Sequence, residues 1–146
     1  MIDTGLVTLL DYKGFTLNGV YTPITTGYLF KEAPNNNLIV IPRRRYFVLD
    51  SLGLSYYKEP GGKVLGTIDL SHEPNIVAYH VKRPFIGGFN NFLRIKTVGR
   101  IWNLTTESIE DLQKWHNVFK NCKLCEKDIQ EVEEEAVKEE LDDSGR

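Results

Sequence analysis

The sequence predicts a mainly β fold, a seven-stranded antiparallel barrel or sandwich that is capped by one C-terminal α-helix. Short alternating runs of apolar and polar residues, rich in aromatic and β-branched types, recur from residue 25 onward with turn residues between them. After residue 105 the apolar spacing changes to three and four residues, which is the repeat of an amphipathic helix. The 146 residues fit a single domain, and a content of 41% hydrophobic and 26% charged residues is typical of globular proteins.

The predicted strands follow one another at short, turn-separated intervals. The first covers residues 26–33 and ends in the turn residues APNNN, and the second is RRRYFVLD at 43–50. The other five have the sequences LSYYK, GTIDL, NIVAYHV, NFLRIKT and GRIWNLT. The glycine pair in EPGGK predicts the turn between the third and fourth strands. Seven short strands spaced in this way predict an antiparallel sandwich or barrel.

One amphipathic helix is predicted to follow the last strand. Its apolar face consists of Ile109, Leu112, Trp115, His116 and Phe119. Ser108 followed by Asp111 predicts a capping box at the helix start. We interpret the aromatic residues of this face as core, because helix-period aromatics usually face a core.

The chain divides into a mildly basic body and an acidic end. Residues 1–125 hold 15 Lys/Arg against 10 Asp/Glu, whereas residues 126–146 hold 3 against 10. We interpret residues 1–24 as an N-terminal extension and residues 25–125 as the folded domain. Residues 126–146 either prolong the helix or form a solvated acidic tail.

The sequence indicates neither a catalytic centre nor a metal site. Cys122 and Cys125 form a C-x-x-C pair without the second half of a zinc motif, which favours structural thiols in a reducing compartment. The three histidines fall on different predicted elements, and the glycines of EPGGKVLG do not link a strand to a helix as a phosphate-binding loop does. We therefore expect no enzyme activity, no cofactor and no metal. No apolar run approaches the roughly 20 residues that span a bilayer, and the start lacks the pattern of a secretory signal.

Specific residues resemble the pleckstrin homology family. GYLFK at 27–31 is similar to its first strand, RRRYFVLD at 43–50 to its second, SYYK to its third, and the Trp115 helix to its C-terminal cap. The resemblance covers residues 25–125 and implies a partly open barrel that recruits a protein to membranes without catalysis. It implies an anionic phospholipid as partner, and a location in the cytoplasm, peripheral on the cytosolic face of a membrane.

The same resemblance implies a headgroup site at the first β-hairpin. Lys31 is similar to the basic residue of the family's first strand, Arg43 and Arg45 to the pair on its second strand, and Tyr56 to a hydroxyl donor on its third. Alternation puts Arg43 and Arg45 on one face of their strand and Arg44 on the other, and a guanidinium grips two phosphate oxygens at once. Lys96 is a further candidate for this headgroup site. The competing interpretations are a solvated basic edge for the arginines and an ordinary sheet tyrosine for Tyr56.

An apolar run directly precedes the basic cluster. It consists of Leu38, Ile39, Val40 and Ile41, and Pro42 argues against one uninterrupted strand there. We expect this loop to insert into the headgroup layer. The alternative is that it packs under the sheet or extends the second strand beyond a bulge.

Several choices stay open at this point. The ligand is a phosphoinositide or phosphatidic acid. A narrower resemblance, to the acylated pleckstrin homology proteins of apicomplexan parasites that bind phosphatidic acid, requires an N-terminal Gly/Cys segment that Met1 to Asp3 do not contain. The alternative function is a peptide-binding or protein-binding module in which a ligand strand adds to a sheet edge beside the C-terminal helix. We expect a monomer without a nucleic-acid partner.

Overall fold

The structure is a computed structural model that describes residues 15–17, 20–32, 42–82 and 90–132. These residues form the strands and the helix in the order β1 (Phe15–Leu17), β2 (Val20–Thr22), β3 (Thr25–Lys31), β4 (Arg43–Asp50), β5 (Gly53–Tyr57), β6 (Val64–Ile68), β7 (Asn75–Val81), β8 (Asn91–Thr97), β9 (Arg100–Thr105), α1 (Ile109–Asn121) and β10 (Gln130–Val132). All seven strands predicted from residue 25 onward are present, as β3 to β9. Within the described ranges, α1 is neither long nor apolar enough to cross a membrane.

Eight strands form one sheet in the order β10-β7-β8-β9-β3-β4-β5-β6, while β1 and β2 form a separate hairpin. The pairs in the large sheet are antiparallel except for β10 with β7. Among the described residues, β3 joins β9 through two residue pairs, Phe30 with Thr105 and Lys31 with Leu104. The end strands β10 and β6 are not paired with each other, so the described sheet is a partly open barrel. The predicted mainly β fold with one C-terminal helix is confirmed.

The helix α1 packs its apolar face against the inner face of the sheet. It begins where the Ser108 side chain accepts a hydrogen bond from the Asp111 N–H at 3.1 Å, as the sequence predicted. Leu112, Trp115 and Phe119 are at most 1% exposed and belong to one core with the inner residues of β3, β4 and β8. Each such burial contributes about 1.5–3 kcal/mol, so the helix is an integral part of the barrel.

The chain turns back after the helix. Asn121 is the last residue of α1, Lys123 adopts a positive φ of 61°, and Leu124 N–H donates to the Phe119 carbonyl oxygen at 2.8 Å. Residues 130–132 then form β10 on the edge of the sheet. Up to Val132, therefore, the segment 126–146 neither prolongs the helix nor forms a free tail, because its backbone pairs with β7. Residues 133–146 lie outside the described residues.

Candidate functional site

Two cations face each other where β3 ends and β4 begins. Lys31 is the antiparallel partner of Arg43, and Leu29 is the partner of Arg45. Residues two apart on a strand share a face, and Leu29 and Phe47 on this face are fully buried. On the core-facing side of the β3–β4 hairpin, the buried apolar residues are therefore followed by a rim of cations.

Lys31 lies between two aromatic rings at this rim. Its Nζ is 5.1 Å from the ring centroid of Tyr56 and 5.4 Å from that of Trp102. The two rings are 6.1 Å apart at an interplanar angle of 63°, and Tyr56 packs further on Phe47. Aromatic faces attract a cation over such distances, so they hold the ammonium group beside the open end of the core. This explains how a half-buried lysine is kept at a fixed place.

Arg100 completes the cluster, although it is not among the residues that the sequence predicts for the site. Its Cζ lies 3.5 Å from the centroid of Trp102. The pairing of Leu104 with Lys31 puts Leu104, Trp102 and Arg100 in one row on the same face. Alternation in GRIWNLT predicts that Arg100 and Trp102 share a face. Only the register of β9 on β3 shows that this face lies next to the β3–β4 hairpin. We call Lys31, Arg43, Arg45 and Arg100 the basic cup.

The cations of the basic cup repel one another. The pKa of Lys31 is lowered from its ordinary value, first by burial and then by the charges of Arg100, Arg45 and Arg43. Glu32 follows Lys31 in sequence, but its side chain hydrogen-bonds Asn103, and burial raises its pKa. Four cations so close together create a positive potential, which an anion between them would neutralise.

A glycine makes room for the tyrosine of this site. Tyr56 is paired with Gly66 across β5 and β6, next to a shift in register. A Cβ atom added at Gly66 would lie 2.4 Å from the Tyr56 hydroxyl oxygen and 2.6 Å from its Cζ. No side chain larger than hydrogen fits there while Tyr56 keeps its place. Gly66 therefore determines where the hydroxyl group of Tyr56 lies.

The remaining predicted residues lie elsewhere. Arg44 is on the outer face, where its Cζ stacks 3.6 Å from the ring centroid of Tyr28. Lys96 is the partner of Ile101, one residue out of phase with the Ile95–Trp102 pair, so it is on the outer face and outside the basic cup. Leu38, Ile39, Val40 and Ile41 fall outside the described residues.

An exposed apolar residue lies in the turn that leads to Arg100. Val98, in the turn between β8 and β9, is 86% exposed, the highest value among the exposed large hydrophobic residues of the described ranges. It stands two positions before Arg100 in sequence. The turn thus presents an apolar side chain next to a cation, which is the combination found on surfaces that enter a headgroup layer.

The described residues contain no group of three or more His, Cys, Asp or Glu side chains that would hold a metal ion. Cys122 and Cys125 are buried free thiols, and burial raises the pKa of each. A raised pKa keeps the thiol protonated and weakly nucleophilic. The chemistry that the basic cup offers is a set of cationic hydrogen-bond donors without a nucleophile among them.

Solved structures similar to this chain share its fold. The C-terminal PH domain of pleckstrin, in complex with an inositol pentakisphosphate, is 19% identical with a TM-score of 0.52, covering 69% of this chain and 95% of that chain. The PH domain of Slm1, in complex with phosphoserine, is 17% identical with a TM-score of 0.53, covering 72% and 97%. A structure from a systematic screen for protein–lipid interactions in Saccharomyces cerevisiae is 18% identical with a TM-score of 0.55, also covering 72% and 97%.

The comparison with family models is the more specific one. A search of curated proteins finds no match. The model of the PH domain matches residues 23–124, which include β3 to β9 and α1. This is more than half of the sequence, and the strand order and the helix agree with it. The chain belongs to the PH domain family.

Proposed function

We propose that the chain is a membrane-recruitment module that binds the phosphate-bearing headgroup of an anionic phospholipid in the basic cup. PH domains are generally binding modules without enzymatic activity, and the similar structures named above were solved with an inositol phosphate or phosphoserine, or in a screen for lipid interactions. The observation that carries the proposal is the position of Lys31, held between Tyr56 and Trp102 and repelled by three arginines.

Each residue of the site has a distinct task in this proposal. The guanidinium groups of Arg43, Arg45 and Arg100 donate paired hydrogen bonds to phosphate oxygens. Lys31 supplies a compact charge at the base of the cup, and the hydroxyl group of Tyr56 donates to the same phosphate. The ligand is a phosphoinositide or phosphatidic acid, since both present a phosphomonoester.

Long-range attraction alone is too weak for recruitment. A basic side chain near an anionic leaflet contributes about 1 kcal/mol, so four contribute about 4 kcal/mol, which corresponds to a Kd of about 1 mM. Close hydrogen bonds to phosphate and apolar insertion must supply the rest. Val98 offers such an insertion beside Arg100, and residues 38–41 offer a second one next to Arg43. The protein then lies on the cytosolic surface of a membrane.

Co-sedimentation with a panel of liposomes, each carrying one anionic lipid, tests the proposal. The double variant Arg43→Ala with Arg45→Ala should lose binding to liposomes that carry a phosphomonoester lipid. Arg44→Ala and the single variants Arg43→Ala and Arg45→Ala each remove one charge from the same strand, and only Arg44→Ala removes it from the opposite face, which makes it the control. Equal loss in the double variant and in Arg44→Ala, or wild-type binding to neutral liposomes, would refute a headgroup site on the inner face.

A further inference from the structure

The strand β10 is an addition to the edge of the PH fold. It lies beyond the residues that match the family model and runs parallel to β7, with Gln130 opposite Tyr79 and Val132 opposite Val81. The N–H of Lys82 donates to the Val132 carbonyl oxygen at 3.2 Å. The edge of β7 is therefore a row of backbone groups that the chain satisfies with its own C-terminal segment.

The side chains of β10 show which residue types fit beside β7. Val132 packs against a small apolar cluster separate from the main core, formed by Val77, Tyr79, Val81 and Phe92. Glu131, one residue earlier, has the opposite orientation and places its carboxylate 3.6 Å from the ammonium group of Lys82. An apolar residue preceded by a carboxylate thus fits the edge of β7.

The connection to β10 is held more firmly than β10 itself. Leu124 and Ile129 pack against the main core, and His116 Nε2 lies 2.8 Å from the Lys127 carbonyl oxygen. By contrast, β10 has three described residues, its pairing is parallel, and both partners of its ion pair are more than half exposed. The described contacts therefore hold the connection more firmly than they hold β10.

We propose that the edge of β7 is a strand-acceptor site, which residues 130–132 fill in cis and which takes an extended peptide of a partner protein when β10 leaves. The peptide carries a carboxylate directly before a β-branched apolar residue, because Lys82 and the cluster around Val81 recognise those two groups. This site is separate from the basic cup, and it does not depend on lipid binding. Residues 130–132 act as an internal competitor, and their high local concentration keeps the site occupied.

A fluorescent peptide with the sequence EKDIQEVEEE, residues 126–135, tests this on the full chain. Glu131→Lys places a like charge against Lys82, and Val132→Asp places a charge in the apolar cluster, so each releases β10. Fluorescence anisotropy should show peptide binding to either variant about tenfold tighter than to the wild-type chain, since the competing cis segment is weakened. A peptide with aspartate at the position of Val132 should not bind.

The controls separate release from unfolding. In hydrogen exchange the amides of β7 should lose protection in both variants, whereas those of β8 and β9 should keep it. Adding Lys82→Glu to the Glu131→Lys chain restores opposite charges and should close the site again. Unchanged protection of β7, or peptide binding equal to wild type, would overturn the proposal. A dimer of the released variants in size-exclusion chromatography would overturn it too, because the occupant would then be the strand of a second copy.

Discussion

Arg100→Ala isolates the residue that the tertiary structure adds to the basic cup. The side chain stacks on Trp102, on the face shared with Lys31, and its charge is the largest electrostatic contribution to the lowered pKa of Lys31. Removing it should weaken headgroup binding strongly. The fold should change little, because the residue is exposed and contributes nothing to the core.

The size of the effect follows from two contributions. Loss of a cation near an anionic surface costs about 1 kcal/mol, and loss of a charge-assisted hydrogen bond costs about 1.5–3 kcal/mol. Screening at an exposed site reduces their sum to about 2–3 kcal/mol, a loss of affinity of about 30- to 160-fold. Loss of the cation–π contact with Trp102 should lower the free energy of unfolding by about 0.5–1 kcal/mol. Relief of the repulsion on Lys31 should offset part of this loss.

Lys96→Ala is the matched control on the neighbouring strand. Lys96 is also an exposed cation near this turn, but it lies on the outer face of β8. Its removal should cost only the long-range contribution, about 1 kcal/mol or fivefold, and raising the salt concentration should abolish that difference. Liposome co-sedimentation at two salt concentrations measures both variants. Equal losses in Arg100→Ala and Lys96→Ala at high salt would refute the assignment of Arg100 to the cup.

Three further predictions concern the pH dependence, the shape and the rim of the site. Because burial and the neighbouring arginines lower the pKa of Lys31 from its ordinary value, binding should fall as pH rises toward that lowered pKa, above the range in which a phosphomonoester becomes a dianion, and titrations of Lys31→Arg should show a flatter profile. The stability contribution of Lys31 has the opposite sign, because the unfolded chain binds more protons between the two pKa values and stability therefore rises with pH there. Gly66→Ala should displace the ring of Tyr56 and weaken binding of a soluble inositol phosphate. In a Tyr56→Ala chain the same substitution should cause no further loss of affinity, and additive losses in calorimetry would show that Gly66 acts elsewhere. Val98→Ser should remove part of the binding that persists at high salt, whereas Leu52→Ser, at a 79% exposed residue in the turn between β4 and β5, should not; indistinguishable variants would remove Val98 from the membrane contact.

Local patterns in the sequence were sufficient for β3 to β9 and for the helix, but not for β1, β2 or β10. Period-two alternation and the change to a helical period depend on residues near one another in the chain, and the Ser108 cap is local as well. The face shared by Arg43 and Arg45 follows from the same alternation. The position of Lys96 was also accessible, because alternation in NFLRIKT already separates it from the buried Leu93 and Ile95.

The sequence by itself determined the fold, the core face of the helix and the face on which the first-hairpin cations lie, because these depend on local period and apolar patterning. Only the tertiary structure decided which residues meet. The register of β9 on β3 brings Trp102 and Arg100 to Lys31, and the edge of β7 receives an acidic segment whose composition does not predict a strand. Contacts between distant strands depend on register and on available edges, and neither is encoded in the spacing of neighbouring residues.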